Sequence, residues 1–83
     1  MKEVTVYVFD HSGGFDWYYK LSNARREISL YRNAGWITDD DSLWSVPIPG
    51  MIGDKSVRDQ EHATDYLETE AYLDMPGSVQ LTL

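Results

Sequence analysis

Apolar and polar positions alternate at the start of the chain, where Val4, Val6 and Val8 are separated by residues of other types. Every residue from 4 to 9 is β-branched or aromatic, which is typical of a β-strand. Apolar side chains fall on both faces of this strand, so both faces can be buried. The pattern therefore predicts a strand in a central position of a sheet.

The segment after this strand allows two interpretations. Residues 10–14 contain paired glycines and predict a turn, because glycine adopts the positive φ values that hairpin loops need. Residues 15–21 then pair back on the first strand as a second strand, or they form the first turn of a helix that begins from Asp16. Three consecutive aromatic residues at 17–19 favour the strand.

A first helix is predicted from apolar residues that lie three and four positions apart: Leu21, Ala24, Ile28 and Tyr31. Ser22 or Asn23 is the candidate N-cap, and Gly35 fits the C′ position after the helix. Leu30 falls opposite the apolar stripe, so it is either exposed or covered by another element. It marks a candidate contact surface.

Two further strands are predicted in the second half of the chain. Residues 43–48 form a short strand, which Pro47 and Pro49 confine to an edge or a bulged end of the sheet. Residues 78–83 form a closing strand, whose alternate apolar residues lie on one side beginning at Val79.

The second helix begins at Ser56, in a sequence that resembles a capping box with Asp59 in place of the usual Glu. It extends to about Glu70, and its inner face consists of Ala63, Tyr66, Leu67 and Ala71. The order β-β-α-β-α-β predicts a single α+β domain over residues 1–83. We expect an antiparallel sheet of three or four strands with both helices over one face.

Length and composition restrict the class of protein. A chain of 83 residues allows one domain. The absence of cysteine excludes disulfides, thiolate catalysis and the usual structural zinc sites. No apolar run approaches the roughly 18 residues of a membrane span, and the chain starts with strand-like sequence rather than a signal peptide. We therefore expect a cytoplasmic protein.

The formal net charge of −7 is distributed unevenly along the chain. Residues 1–36 carry four acidic and five basic side chains, whereas residues 37–83 carry ten acidic and two basic ones. This balance argues against direct binding to nucleic acid or to an anionic membrane, because both need a basic surface. It favours either a basic partner, expected to be a nucleic-acid-binding protein, or simply a soluble surface.

Acidic residues repeat along the predicted second helix. Glu61, Asp65 and Glu68 lie at spacings of four and three, about 180° from Ala63, where like charges destabilise a helix slightly. This face is either solvated, or it matches a basic groove that normally holds phosphates. On the second interpretation the partner-binding residues are Asp39, Asp40, Asp41, Asp54, Asp59, Glu61, Asp65 and Glu68.

Motifs for metal binding and catalysis are nearly absent. A calcium loop beginning at Asp39 needs Gly at its sixth position and Glu at its twelfth, where the sequence has Trp44 and Gly50. Asp10 and Asp16 are candidate acid–base partners, but no motif places them around a pocket. The sequence contains no HExxH, GxSxG or phosphate-binding loop. We therefore expect no enzymatic activity, no metal and no cofactor.

Size, acidity, lack of cysteine and the α+β pattern together resemble the small inhibitors that phages and mobile elements encode, the anti-CRISPR proteins and anti-restriction DNA mimics. The same features are also similar to those of the immunity proteins that neutralise nuclease toxins. The resemblance lies in size, charge and element pattern, and no family motif assigns a role to any residue. It implies inhibition by occupation of a basic nucleic-acid-binding surface. A small accessory subunit with a permanent hydrophobic interface is the remaining alternative.

Overall fold

The computed structural model describes residues 3–83, and its elements follow the predicted order. They are β1 (Glu3–His11), β2 (Gly14–Tyr18), α1 (Leu21–Asn33), β3 (Ser42–Pro49), α2 (Val57–Glu68), a 3₁₀ helix (Ala71–Asp74) and β4 (Val79–Leu81). The four strands form one antiparallel sheet in the order β2-β1-β3-β4. The predicted α+β class is confirmed, and the aromatic segment after the first turn is a strand.

Both faces of β1 are buried, as its sequence predicts. Val6 and Val8 belong to a core with Ala63 of α2, whereas Phe9 belongs to a second core with Ile28 of α1. A strand with large apolar side chains on both faces needs a cover on each side. The helices therefore lie on opposite faces of the sheet, and the expectation that both cover one face is wrong.

The apolar interior is accordingly divided in two. The core under α2 consists of Val6, Val8, Val46, Ile48, Met51, Ala63, Leu67 and Tyr72. The core under α1 consists of Phe9, Ala24, Ile28 and Leu43, with Leu81 and Leu83 packed against it. Val79, expected on the same inner side as Leu81, is 54% exposed because it lies at the far end of the short closing strand.

The two prolines do not place β3 at an edge, because β3 lies between β1 and β4. Pro47 pairs with Thr5 of β1, but β4 pairs with β3 only as far as Ser45. The side of β3 that faces β4 is thus unpaired beyond Ser45, and a proline there removes no ladder hydrogen bond. Proline limits the length of β4 rather than the position of β3.

The predicted C-terminal cap of α1 is confirmed, but its predicted N-cap is not. α1 begins at Leu21 after Lys20, without a side-chain cap from Ser22 or Asn23. At the other end Gly35 has φ 77°, and Trp36 N donates to Tyr31 O at 2.9 Å. This hydrogen bond, the positive φ of Gly35 and the contact between the Trp36 and Tyr31 rings are features of a Schellman motif.

The start of α2 is capped as predicted. Ser56 Oγ accepts from Asp59 N at 3.2 Å. The helix ends at Glu68, two residues earlier than expected, and Ala71 belongs to the following 3₁₀ helix. Glu70 adopts a left-handed conformation with φ 60°, which interrupts the α-helix between the two segments.

The divided core makes a direct prediction for β1. Val6→Asp places an unpaired charge in a site that is 0% exposed, at a cost of several kcal/mol in a domain whose total stability is of the order of 5 kcal/mol. We expect the variant to lose its cooperative thermal transition, measured by circular dichroism. Thr5→Asp, an exposed position of the same strand, is the control and should melt like the unaltered protein. A cooperative Val6→Asp transition near that of the control would contradict the assigned packing.

Candidate protein-binding surface

The sheet separates the charges of the two helices. α1 contains three arginines and one glutamate, whereas α2 contains one arginine and four acidic residues. Because the helices cover opposite faces, the charge difference between the two halves of the sequence becomes a basic side and an acidic side of the molecule. The sequence shows the charge difference along the chain, but not its direction in space.

The acidic row on α2 has the geometry that the sequence predicts. Glu61, Asp65 and Glu68 are exposed, on the side of the helix opposite buried Ala63. Among the residues that the structure describes, none of these carboxylates lies within 4.0 Å of a lysine or arginine nitrogen. The row is therefore uncompensated in space as well as in sequence.

Asp54 lies at the N-terminal side of α2 and is exposed. Ser56 N donates to Asp54 Oδ1 at 3.0 Å, and hydrogen bonding to Ser56 holds the pKa of Asp54 below its usual value. The carboxylate is thus ionised and oriented close to the start of the acidic row. It extends the acidic surface toward the N-terminal end of α2.

The turn before β3 brings further charge to the other end of the helix. Asp39 and Asp40 are exposed in this turn. Asp41 of the turn and Glu70, which follows α2, both act on the carboxyl of Asp10. The turn and the C-terminal end of α2 therefore lie at the same end of the sheet.

Asp59 has a structural role instead of a surface position. Its side chain is 2% exposed, and it accepts hydrogen bonds from Ile52 N at 3.0 Å and from Gly53 N at 2.6 Å. These bonds fix the loop between β3 and α2. Asp59 was expected among the partner-binding residues, but burial keeps its carboxylate away from any partner.

Asp41 is also buried and has a structural role, unlike its exposed neighbours Asp39 and Asp40. It is 8% exposed, and it accepts from Thr38 N at 3.0 Å and from Thr38 Oγ1 at 3.2 Å. The carboxylate closes the turn that leads into β3. The Asp39–Asp41 segment therefore has two exposed acids and one buried acid that stabilises the turn.

The two carboxylates considered for acid–base chemistry are separated by the sheet. Asp16 Oδ2 lies 2.9 Å from His11 Nε2, and the His11 ring contacts Phe9 in the core under α1. Asp10, the next residue along β1, points to the opposite face. The carboxylates of Asp10 and Asp16 therefore do not share a site.

Hydrogen bonds occupy both ring nitrogens of His11. Gly13 N donates to Nδ1 at 3.2 Å, so Nδ1 is an acceptor and Nε2 carries the proton that is donated to Asp16. The arrangement closes the hairpin between β1 and β2.

A groove runs between α2 and the edge strand β2. It is lined by Gly14, Phe15, Asp16, Trp17, Thr64 and Glu68. Trp17 Nε1 donates to Thr64 Oγ1 at 3.1 Å, which fixes the helix against the strand. No pattern in the sequence indicates this groove, because it depends on a contact between residues 47 positions apart.

The α1 side carries a different surface. Leu30 is 57% exposed, as its position opposite the apolar stripe suggests, and Trp36 is 65% exposed. Arg25 Nη1 and Arg32 Nη2 donate to the main-chain oxygens of Thr82 and Leu83, so these two arginines hold the C-terminal segment against α1. Two of the basic side chains of α1 therefore have a structural role in holding the C-terminal segment.

Comparison of the chain with known protein families, curated proteins and solved structures found no match. Over residues 3–83, no helix combines the length and apolar content that crossing a membrane requires. Nor do three histidine or carboxylate side chains in that range come together as metal ligands. The functional proposal therefore depends on the charge and shape of the surface.

Removal of the buried carboxylate of α2 should destabilise the fold. Asp59→Ala removes the carboxylate that accepts from Ile52 N and Gly53 N, and a hydrogen bond to a charged group contributes about 1.5–3 kcal/mol. We expect urea denaturation to give a free energy of unfolding lower by about 2–4 kcal/mol. Asp65→Ala, on the exposed face of the same helix, is the control, with an effect of about 0.5 kcal/mol or less. Equal stability of the two variants would exclude the anchoring role.

Asp10 provides a pH-dependent test of the acidic end of the sheet. Burial, together with Glu70, raises the pKa of this carboxyl above its ordinary value of 3.8. Its charged form therefore opposes folding at neutral pH, and the penalty disappears as the pH falls below 3.8. Asp10→Asn should raise the melting temperature at neutral pH, and scanning calorimetry should show the difference shrinking on acidification. A difference of opposite sign, or one independent of pH, would contradict this assignment.

Proposed function

We propose that the protein is a small inhibitor whose acidic α2 surface occupies the basic nucleic-acid-binding surface of a partner protein. We propose further that it is a phage-encoded anti-defence protein of the anti-CRISPR or anti-restriction type. The observation that carries the proposal is the uncompensated row of Glu61, Asp65 and Glu68, on the side of the sheet away from α1. Asp54 extends this row at one end, and we include exposed Asp39 and Asp40 in the proposed surface.

The surface suits a partner that normally binds phosphates. Glu61 and Glu68 are seven residues apart, which corresponds to about 10 Å along the helix. Lysine and arginine side chains in a nucleic-acid groove bind carboxylates through the same charge-assisted hydrogen bonds that hold phosphate oxygens. Exposed charges of one sign speed association and confer salt sensitivity, and the pairs that become desolvated slow dissociation. The inhibitor would thus compete directly with nucleic acid.

Plating of phage on protected bacteria tests the proposed class. The protein is expressed in strains that carry a CRISPR–Cas or a restriction–modification system, and the plating of a phage that each system blocks is counted. We expect plating to rise by orders of magnitude on at least one strain. Bacteria that express nuclease toxins form a second panel. Survival of the toxin-expressing bacteria, without a rise in phage plating, would replace the anti-defence assignment by an immunity function. No effect in either panel would contradict nuclease inhibition.

Charge reversal tests whether the α2 row is the binding surface. The triple variant Glu61→Lys, Asp65→Lys, Glu68→Lys should fold normally, since exposed like charges contribute little to stability. It should nevertheless no longer raise phage plating, because its basic side chains repel the basic partner. Calorimetric titration of the susceptible nuclease with each protein measures the affinity directly.

A charge-matched variant controls for the change in net charge. The variant Glu3→Lys, Glu27→Lys, Ser22→Lys, Asn33→Lys changes the net charge by the same amount away from α2, because two reversals and two added lysines equal three reversals, and it should keep its affinity. Binding by the unaltered protein should also weaken as salt rises from about 0.05 to 0.5 M, where the screening length falls to a few ångströms. If the α2 variant is folded and binds as tightly as the control, the row is only a solvated face.

A further inference from the structure

One side of the edge strand β2 has no hydrogen-bonding partner among the described residues. His11 and Gly14 close a two-residue hairpin, so they form a hydrogen-bonded pair, and every second pair beyond them does too. The main-chain groups of the intervening residues, Phe15 and Trp17, therefore point away from β1. Two amides and two carbonyls are available to an added strand.

The free edge of β2 borders the groove between β2 and α2. The Trp17–Thr64 hydrogen bond holds α2 next to β2, and Glu68 lies on the groove wall. Phe15 and Trp17 turn their side chains toward the core under α2, so both aromatic side chains are half-buried in the groove. An extended chain that paired with β2 would therefore lie directly beside the acidic face of α2.

Acidic groups lie on both faces of the β2 edge. On the α2 side the carboxylate of Glu68 is exposed, and on the α1 side Asp16 has 51% of its side chain exposed. Side chains of an added strand alternate between the two faces, so each face would meet a negative charge. Arginine and lysine are the side chains that complement this edge.

A second copy of the chain fits this edge poorly. Symmetric antiparallel pairing of two β2 strands between Phe15 and Trp17 would place Asp16 directly opposite Asp16, and like charges in that position are destabilising. The net charge of −7 also opposes self-association.

The other edge of the sheet does not offer the same features. β4 has only three residues, and Arg25 and Arg32 bind the main-chain oxygens just beyond it. A basic segment would be repelled at β4 and attracted at β2. The two edges therefore differ in both length and charge.

We propose that β2 binds an extended arginine- or lysine-rich segment of the partner as a fifth strand of the sheet. This inference rests on the proposed function, because it specifies which part of a basic partner enters the acidic surface. Main-chain hydrogen bonds to Phe15 and Trp17 provide affinity, and contacts to Glu68 and Asp16 provide selectivity for basic side chains.

A pair of synthetic peptides tests the added strand without the natural partner. The first has ten residues of alternating arginine and threonine, with both termini blocked. The second is identical, but every amide is N-methylated, so it keeps the charge and cannot donate to a strand edge. Affinities are measured by NMR titration of the ¹⁵N-labelled protein. We expect the methylated peptide to bind about tenfold more weakly or worse, which corresponds to at least about 1.4 kcal/mol.

Residue-level signals identify the docking site in the same experiment. The amides of Phe15 and Trp17 should shift and become protected from hydrogen exchange when the first peptide binds. Glu68→Lys should weaken binding, and Glu3→Lys, at the end of β1 that does not pair with β2, should not. Protection of the two amides in the free protein at high concentration would show that a second copy occupies the edge, and would overturn the proposal.

The outcomes separate this inference from the proposed function. Equal affinity for both peptides, with shifts confined to α2, would overturn the added strand and leave the basic partner in place. Absence of binding by either peptide, in a protein that still inhibits the nuclease, would do the same. Methylation-sensitive binding at Phe15 and Trp17 without any inhibition of nucleases would support the added strand and contradict the proposed function.

Discussion

The structure depends on a single strand that is apolar on both faces. Val6 and Val8 on one side of β1 and Phe9 on the other are each 0% exposed, so neither face of the sheet can be left to solvent. In a domain of this size, two helices are the only elements long enough to cover them. One helix must therefore lie on each side, and the charges that the helices carry are separated by the thickness of the sheet.

This separation gives the molecule an acidic side and a basic side. α2 buries Ala63 and Leu67, which leaves its acidic row on the outer surface. α1 directs Arg25 and Arg32 toward the C-terminal segment on the opposite side. Had both helices covered one face, acidic and basic side chains would have been neighbours and would have formed ion pairs. The arrangement of the core thus keeps the acidic row of α2 apart from the arginines of α1.

Acidic residues that look alike in the sequence have two different roles. Asp59 and Asp41 satisfy backbone amides in two loops and are buried, whereas Glu61 and Asp65 have no charged partner among the described residues. A carboxylate that accepts two or more hydrogen bonds is stabilising, and a row of unpaired carboxylates is not. The stability of the loops and the proposed binding function therefore rest on separate sets of acids.

Local patterns were sufficient to predict the four strands and two α-helices, but not the 3₁₀ helix that follows α2. Alternation identified β1, apolar spacing identified α1, and Ser56 and Gly35 mark helix ends that depend on short-range hydrogen bonds. Relations between distant residues could not be predicted in this way. The side of the sheet chosen by each helix, the burial of Asp59 and the groove closed by Trp17 and Thr64 all depend on contacts that no short window contains. The exposed acidic row was predictable because helical spacing alone places Glu61, Asp65 and Glu68 together.

The central claim is that the partner binds the acidic side of the sheet. Cross-saturation NMR on the complex with the susceptible nuclease tests it most directly, because only amides at the interface lose intensity when the partner is irradiated. We expect the loss to be confined to α2, the adjoining edge of β2 and the turn at Asp39 and Asp40. Loss of intensity centred on α1, around Leu30 and Trp36, would contradict the account and would assign the interface to the opposite side of the sheet.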